Sequence, residues 1–203
     1  MPVHRLTRAL AHQLARRGRL HILRVFSRPL RVPARPPAPP PGLELRSVSA
    51  AELRRHSADP ALELREPMIA DVLGRGDLCL GALEGGILAG YVWLAYETAP
   101  HVHGIRVQVP PRAVYLFKSF IRPSHRGRGI AAALYRAADA LAARPGRELV
   151  VSCVEAHNHP SIALSLRDGS RPLGALAYWR AGPWYAAFHS AAVRRLGLRF
   201  YLA

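Results

Sequence analysis

The chain has 203 residues, half of them apolar, and a formal net charge of +16 at neutral pH. That length supports one domain with a real core, and the apolar content excludes an intrinsically disordered chain. No apolar run approaches the ~20 residues that cross a bilayer, and residues 1–19 hold no continuous apolar stretch of the signal-peptide kind. Cys79 and Cys153 sit in apolar, strand-like runs, which reads as reduced thiols in a cytoplasmic protein and not as a disulfide framework.

Charge is unevenly placed. Residues 1–42 carry nine arginines and no acid, which leaves twenty bases against thirteen acids in the remainder, a surplus of +7. Lys118 is the single lysine. Arginine beside abundant Ala, Pro and Gly is the composition of a GC-rich, bacterial-type genome, so part of the surplus reflects coding bias and not an anionic partner.

Three regions are expected. Residues 1–31 read as a basic arm in which Val3, Leu6, Leu10 and Leu14 recur at helical spacing and Gly18 stops the helix. Residues 32–42, "VPARPPAPPPG", read as an extended proline-rich linker. Residues 43–203 carry the pattern of a compact domain. There, a strand is expected over 43–48 and short helices over 51–57 and 61–73. A hairpin over 78–83 and 87–96 turns at Glu84-Gly85-Gly86. Residues 101–111 are irregular or a frayed strand, and 114–121 form a strong strand. A helix over 130–144 ends at Pro145-Gly146. An apolar strand covers 148–154, a helix N-capped by Asn158 covers 158–167, and a last hairpin covers 173–179 and 184–189. The order predicts an α/β (α+β) domain: one mixed, mostly antiparallel twisted sheet with helices on both faces.

The most informative stretch is "FIRPSHRGRGIAAALY", residues 120–135, where a strand runs through a Gly- and Arg-rich loop into a helix. The first amides of that helix lack intrahelical acceptors and its dipole is positive there. Gly127 and Gly129 let backbone approach a ligand closely, so the loop is a pyrophosphate cradle. The nucleotide P-loop pattern fails because its lysine is missing. The dinucleotide pattern matches Gly127, Gly129 and Ala132. Four residues, "RPSH", separate its strand from its glycines, however, and too little chain follows to complete that fold. An ordinary Gly-rich turn is the plain alternative.

Arg126-x-x-Gly129-x-Ala131 matches the Q/R-x-x-G-x-G/A pattern of the GCN5-related N-acetyltransferases, and the whole stretch resembles that family's strand–loop–helix. A second stretch, "NHPSIALSLRDG", resembles the family's N-x-x-[SA]…G segment with Asn158, Ser161 and Gly169 in place. The resemblance covers roughly three quarters of the chain and excludes the arm. It implies the family's acyltransferase fold and acetyl-coenzyme A as co-substrate, with no metal. The pyrophosphate would rest on Arg126, Gly127, Arg128, Gly129, Ile130 and Ala131, and the pantetheine arm on the strand at Phe120 and Ile121. Asn158 and Ser161 would contact the cofactor from the other side. It also implies direct attack of an amine on the thioester.

Two departures stand out. The family's tyrosine, acid for the leaving thiolate, would stand at position 165, which is Ser165. The aromatic after the helix-ending glycine is Ser170. Tyr178 or Tyr185 could serve instead, the thiolate could leave unassisted, or the chain could bind acyl-coenzyme A without catalysis. A longer acyl-coenzyme A or an acyl-carrier protein is the other donor considered. Glu155 and His157, after a central strand, are the candidates for the base, with Ser165 as the relay at the acid position. Glu97, His101 and His103 are further loop candidates. The pairs His101-x-His103 and Glu155-x-His157-x-His159 lack an H-E-x-x-H or CxxC companion, so no metal site is assigned. Trp93, Tyr96, Tyr178, Trp179, Trp184 and Tyr185 either line an acceptor pocket or are core. Partner expectations are an unidentified amine, a homodimer, and peripheral contact of residues 1–31 with an anionic membrane or nucleic acid; the arm folding back on the domain is the alternative.

Overall fold

The computed structural model describes residues 19–32, 38–181 and 184–203. The expected arm helix with Val3, Leu6, Leu10 and Leu14 lies outside the described residues, as does the middle of the proline-rich linker.

In chain order the strands are β1 (Arg19–Pro29), β2 (Glu44–Ser47), β3 (Leu78–Glu84), β4 (Ile87–Ala95), β5 (Thr98–Pro100), β6 (Ile105–Gln108), β7 (Ala113–Ile121), β8 (Leu149–Glu155), β9 (Arg171–Ala181), β10 (Trp184–His189) and β11 (Arg199–Leu202). The helices are α1 (Ala50–Ser57), α2 (Glu66–Gly74), α3 (Ile130–Ala142), α4 (His159–Arg167) and α5 (Ala191–Leu196). Eight strands form one sheet in the order β10-β9-β1-β8-β7-β4-β3-β2, and β11-β6-β5 form a small second sheet. Every neighbouring pair is antiparallel except β7 and β8. The mixed, mostly antiparallel sheet is therefore the one expected.

The central strands are apolar at nearly every position because both of their faces are covered. On β7, Val114 and Leu116 pack with Ile130, Leu134 and Ala138 of α3. Tyr115 and Phe117 enter the opposite layer with Leu53 of α1, Ile69 and Val72 of α2, and Val193 of α5. Helix α4 lies on the α3 side, where Ile162 packs on Phe26 and Val154. Ser49 and Glu52 close a reciprocal capping box on α1. The expected helix over 61–73 is split. Pro60–Leu62 make one 3-10 turn, Glu63 takes a left-handed φ of 54°, and the helix restarts at Glu66. Pro67 is the reason: without an N–H it is tolerated in a first turn but not in a helix interior.

The largest correction concerns residues 1–31. From residue 19 onward this segment is no separate arm. Strand β1 sits inside the sheet, paired with β8 through Leu23–Pro29 and with β9 through Arg19–Ser27. Leu23, Val25 and Phe26 are buried to within 1% exposure, so the domain reaches back past its expected start at residue 43. The stretch "LHILRVF" alternates and is rich in β-formers, which is the signal that could have marked it. Its arginines, read as an interaction surface, obscured that signal. Helix α5 and strand β11 were also not anticipated. No helix among the described residues is long and apolar enough to cross a membrane.

Candidate active site

The parallel pair β7–β8 is short. It runs through Ala113–Leu149, Val114–Val150 and Tyr115–Val151 and then opens. From Leu116 to Ile121, the edge of β7 facing β8 has no strand partner among the described residues. On its other edge β7 stays paired with β4, but irregularly: Tyr91 opposes Phe120 and Trp93 opposes Phe117, so Val92 faces both Lys118 and Ser119. This is a β-bulge, and Lys118 adopts a φ of 43° in it. Its ammonium donates to the Glu63 carbonyl at 2.6 Å. Lys118 therefore does not reach out past the sheet edge but ties the bulge to the loop between α1 and α2. Burial lowers its pKa.

The opening between the two strands leads into a cleft of about 1250 Å³ between α3 and α4. Phe120, Ile121, Arg126, Gly127, Gly129, Ile130, Ala131, Asn158 and Ser161 all line it. Nine of the ten residues expected to hold a cofactor are thereby brought to one cleft. Gly127 and Gly129 have φ of 78° and 75°, and Gly129 is the N-cap of α3. A Cβ at either would meet nothing within 4 Å. Conformation requires glycine at both positions, not crowding, and the space in front of the amides is open. The exception is Arg128. It turns away and donates two hydrogen bonds to Glu84, at 2.6 and 3.0 Å. His125 also meets Glu84 at 3.1 Å. Arg128 and then His125 hold the Glu84 carboxyl down at about 2. Arg128 thus staples the loop to the β3–β4 hairpin and does not line the cleft.

The Asn158 side chain accepts from the Ser161 amide at 3.2 Å, as an N-cap does. Its oxygen is thereby committed to the helix start. Ser165 is a clear correction. It is 2% exposed, donates to the Ser161 carbonyl at 3.0 Å, and is absent from the cleft lining. It lies on the buried, sheet-facing side of α4 and not on the cleft side where the relay was expected. His157 is an exposed turn residue and does not line the cleft either.

Glu155 differs. It ends β8 with the parity of Val151 and faces the α1–α2 side of the sheet. Its Oε1 lies 2.7 Å from Nδ1 of His21 on β1. The His21 ring stacks on Tyr178 at 4.7 Å between centroids, and the Tyr178 hydroxyl lies 3.1 Å from Nε2 of His101. Nearby in the same layer, the buried Trp93 indole N–H and Tyr185 hydroxyl have no hydrogen-bond partner among the described residues, and burial pushes Tyr185 up to about 12. His21 was missed because its segment was read as arm; nothing local in the sequence pairs residues 134 positions apart.

Below the cleft, Arg28 of β1 is 4% exposed. It forms a two-pronged pair with Asp139 of α3, at 2.6 and 2.7 Å, and donates its Nε to Asp168 at 2.7 Å. This buried triad fixes β1, α3 and the end of α4 to one another.

A strand opened beside its parallel neighbour, with an N–H-lined helix start at its end, leaves backbone groups that an extended, amide-bearing chain could pair with. The acetyltransferase (GNAT) family model matches residues 44–170, and the chain belongs to that family. Solved structures with the same fold include a GNAT-family acetyltransferase from Novosphingobium aromaticivorans. It is 21% identical, with a TM-score of 0.55 over 78% of this chain and 63% of that one. A GCN5-related N-acetyltransferase from Sphaerobacter thermophilus is 19% identical, with a TM-score of 0.57 over 86% and 56%. A tandem GNAT protein of the clavulanic acid biosynthesis pathway is 21% identical, with a TM-score of 0.57 over 91% and 60%. The chain thus spans about three fifths of the length of these proteins. No curated protein matches it.

Proposed function

We propose that the chain is an acetyl-coenzyme-A-dependent N-acetyltransferase acting by direct attack of an amine within a ternary complex. The observation that carries this is the continuous path from the unpaired edge of β7 to the Gly127–Ala131 amides. A pantetheine arm, with its two amides, pairs with Leu116–Ile121 as a strand would, and the pyrophosphate rests on the start of α3. The thioester then lies where β7 and β8 part, beside the Lys118 bulge. Held there, donor and acceptor react as if at high effective concentration.

The acceptor enters from the α1–α2 side, where Glu155 stands. The amine nitrogen attacks the carbonyl carbon, the C–N bond forms and the C–S bond breaks. The proton released by nitrogen passes to the Glu155 carboxylate, which His21 orients. The sulfur leaves as thiolate. A thiol of ordinary pKa, about 8.5, is a good enough leaving group near neutral pH. Among the described residues no tyrosine lines the α3–α4 cleft, which favours the second reading, a non-catalytic binder of acyl-coenzyme A.

Titration calorimetry of acetyl-coenzyme A into the wild type and into Gly129→Glu tests the donor assignment. The substitution puts a carboxylate where the pyrophosphate would sit and a side chain where φ is 75°. Micromolar binding by the wild type alone supports the proposal. No binding by the wild type removes it. Binding with no turnover across a panel of amines moves the chain to the second reading.

A further inference from the structure

The β10 end of the large sheet has two unlike faces. On the α1–α2 side, β1 and β9 bury Leu23, Leu176 and Tyr178 to 1% exposure or less. On the other side α4 covers the inner part, where Ile162 packs on Phe26 and Val154. Further out on that same side, Phe188, Ala177 and Ile22 form one row across β10, β9 and β1, and Ala186, Trp179 and Leu20 form the next. Trp184 shares the face, two residues beyond Ala186 on β10. Leu20 is 53% exposed, Ile22 49%, Trp184 71% and Phe188 69%. Of the nine large apolar side chains exposed among the described residues, these four stand on one face. A single exposed apolar residue needs no explanation, but a contiguous group does. In these rows and the adjoining one, where Arg24 opposes Ala175, the only charge is Arg24.

The chain itself supplies a segment that fits. Residues 1–18 lie outside the described residues, and they enter the sheet at a corner of this face. Arg19 pairs with Arg180, and the following residue, Ala181, opposes Trp184. Their sequence places Val3, Leu6, Leu10 and Leu14 at helical spacing, with Arg5, Arg8 and Arg16 on the opposite side of such a helix. A stripe from residue 3 to residue 14 is about 16 Å long, and Trp184 to Phe188 covers about 13 Å of β10. Gly18, just before β1, allows the reversal that lays the stripe back over the face. A segment tethered so closely meets the face at millimolar effective concentration, well above that of a second copy of the chain in dilute solution.

We propose that residues 3–14 form an amphipathic helix seated on the outer face of β1, β9 and β10, with Leu6, Leu10 and Leu14 covering Leu20, Ile22, Trp184 and Phe188. The arginines of that helix stay in water, because the face offers them no acid. The N-terminal segment is then a cover for the sheet and not a free interaction arm. This holds whether or not the cleft between α3 and α4 takes an acyl donor.

Hydrogen exchange read by mass spectrometry on the full chain tests the contact. An isolated helix of this length is marginal in water, so protected amides in residues 3–14 report docking. They should be protected in the wild type and exchange rapidly in the double variant Trp184→Ser, Phe188→Ser. Both changes fall on exposed positions, so protection elsewhere in the sheet should be unaltered. The reciprocal variant Leu6→Ser, Leu10→Ser, Leu14→Ser should raise acrylamide quenching of Trp184 severalfold, with the Trp184→Phe signal subtracted to isolate that residue. Rapid exchange of residues 3–14 in the wild type would overturn the proposal. So would protection that survives the double variant, since the segment would then sit elsewhere. If Trp184 is shielded in a dimer, and stays shielded in the triple variant, the face belongs to a second copy. If it is shielded only on adding vesicles of phosphatidylcholine and phosphatidylserine, the face belongs to a lipid surface. Either result replaces the proposed occupant.

Discussion

Replacing Arg28 by Met tests whether β1 is integral to the domain. The arginine is 4% exposed and faces two carboxylates, Asp139 at 2.6 and 2.7 Å and Asp168 at 2.7 Å. Methionine keeps much of its volume but removes the guanidinium that bridges them. Two like charges would then be buried side by side without that cation's hydrogen bonds, although the Arg31 backbone N–H still donates to Asp139. Breaking a buried pair in this way costs about 3 to 5 kcal/mol, a large share of a domain's total stability. Urea denaturation followed by tryptophan fluorescence should show that loss at pH 7. The pH dependence adds a second check. Burial already raises the Asp168 pKa, with Arg28 opposing it. Without Arg28 the folded-state carboxyls bind protons more readily than the unfolded ones, so the variant should gain stability relative to wild type as pH falls. Adding Asp139→Asn and Asp168→Asn should recover most of the loss, because the uncompensated charges are then gone. A loss under about 1 kcal/mol, or one that the companion substitutions leave unchanged, would refute the reasoning.

Deleting residues 1–42 should give an insoluble or unfolded chain and not an intact catalytic domain, since β8 and β9 would lose their shared partner; a cooperative unfolding transition in the truncated protein would contradict this. Ser165→Ala should leave acetyl-coenzyme A affinity and any turnover within about twofold while costing about 1 kcal/mol of stability from the lost buried hydrogen bond; a tenfold loss of turnover at unchanged stability would restore a chemical role. Glu155→Gln should lower turnover about 100-fold or more, with donor affinity within about threefold by calorimetry, and comparable turnover would remove it as the base. Burial pushes the Asp77 carboxyl up to about 6 despite its pairing with Arg75. The folded state therefore holds a proton between pH 4 and 6 that the unfolded state has lost. This carboxyl's contribution falls by roughly 2 to 3 kcal/mol as pH rises through that window and is flat above it. The wild-type stability minus that of Asp77→Asn, from denaturation curves at each pH, should trace that fall.

Much of the site was legible because its determinants are local. The cradle needs two glycines at a spacing, an arginine and a helix that starts on time, and "HRGRGIAAALY" contains all of them in eleven consecutive residues. Asn158 as N-cap and Ser161 behind it are equally local. The failures share a cause. Arg128 and Arg126 are two residues apart in the same basic loop, yet one meets Glu84 across a hairpin and the other faces the cleft. Ser165 occupies the expected position in its helix, but which side of α4 meets the sheet depends on Phe26 and Val154.

Sequence alone settled the domain class, most of the order of elements from β2 to β10, with β5 the strand it did not show, and the Gly-rich helix start, since propensity, period and turn chemistry act over a few residues. Tertiary structure decided where β1 goes. A short alternating strand carries no address, and it is placed by whatever edge can pair with it. That one placement between β8 and β9 brings His21 to Glu155, Arg28 to Asp139 and Asp168, and Arg31 to the far end of the cleft. All three are contacts over more than a hundred residues of sequence, and they exist because hydrogen bonding of a buried strand must be satisfied on both edges at once.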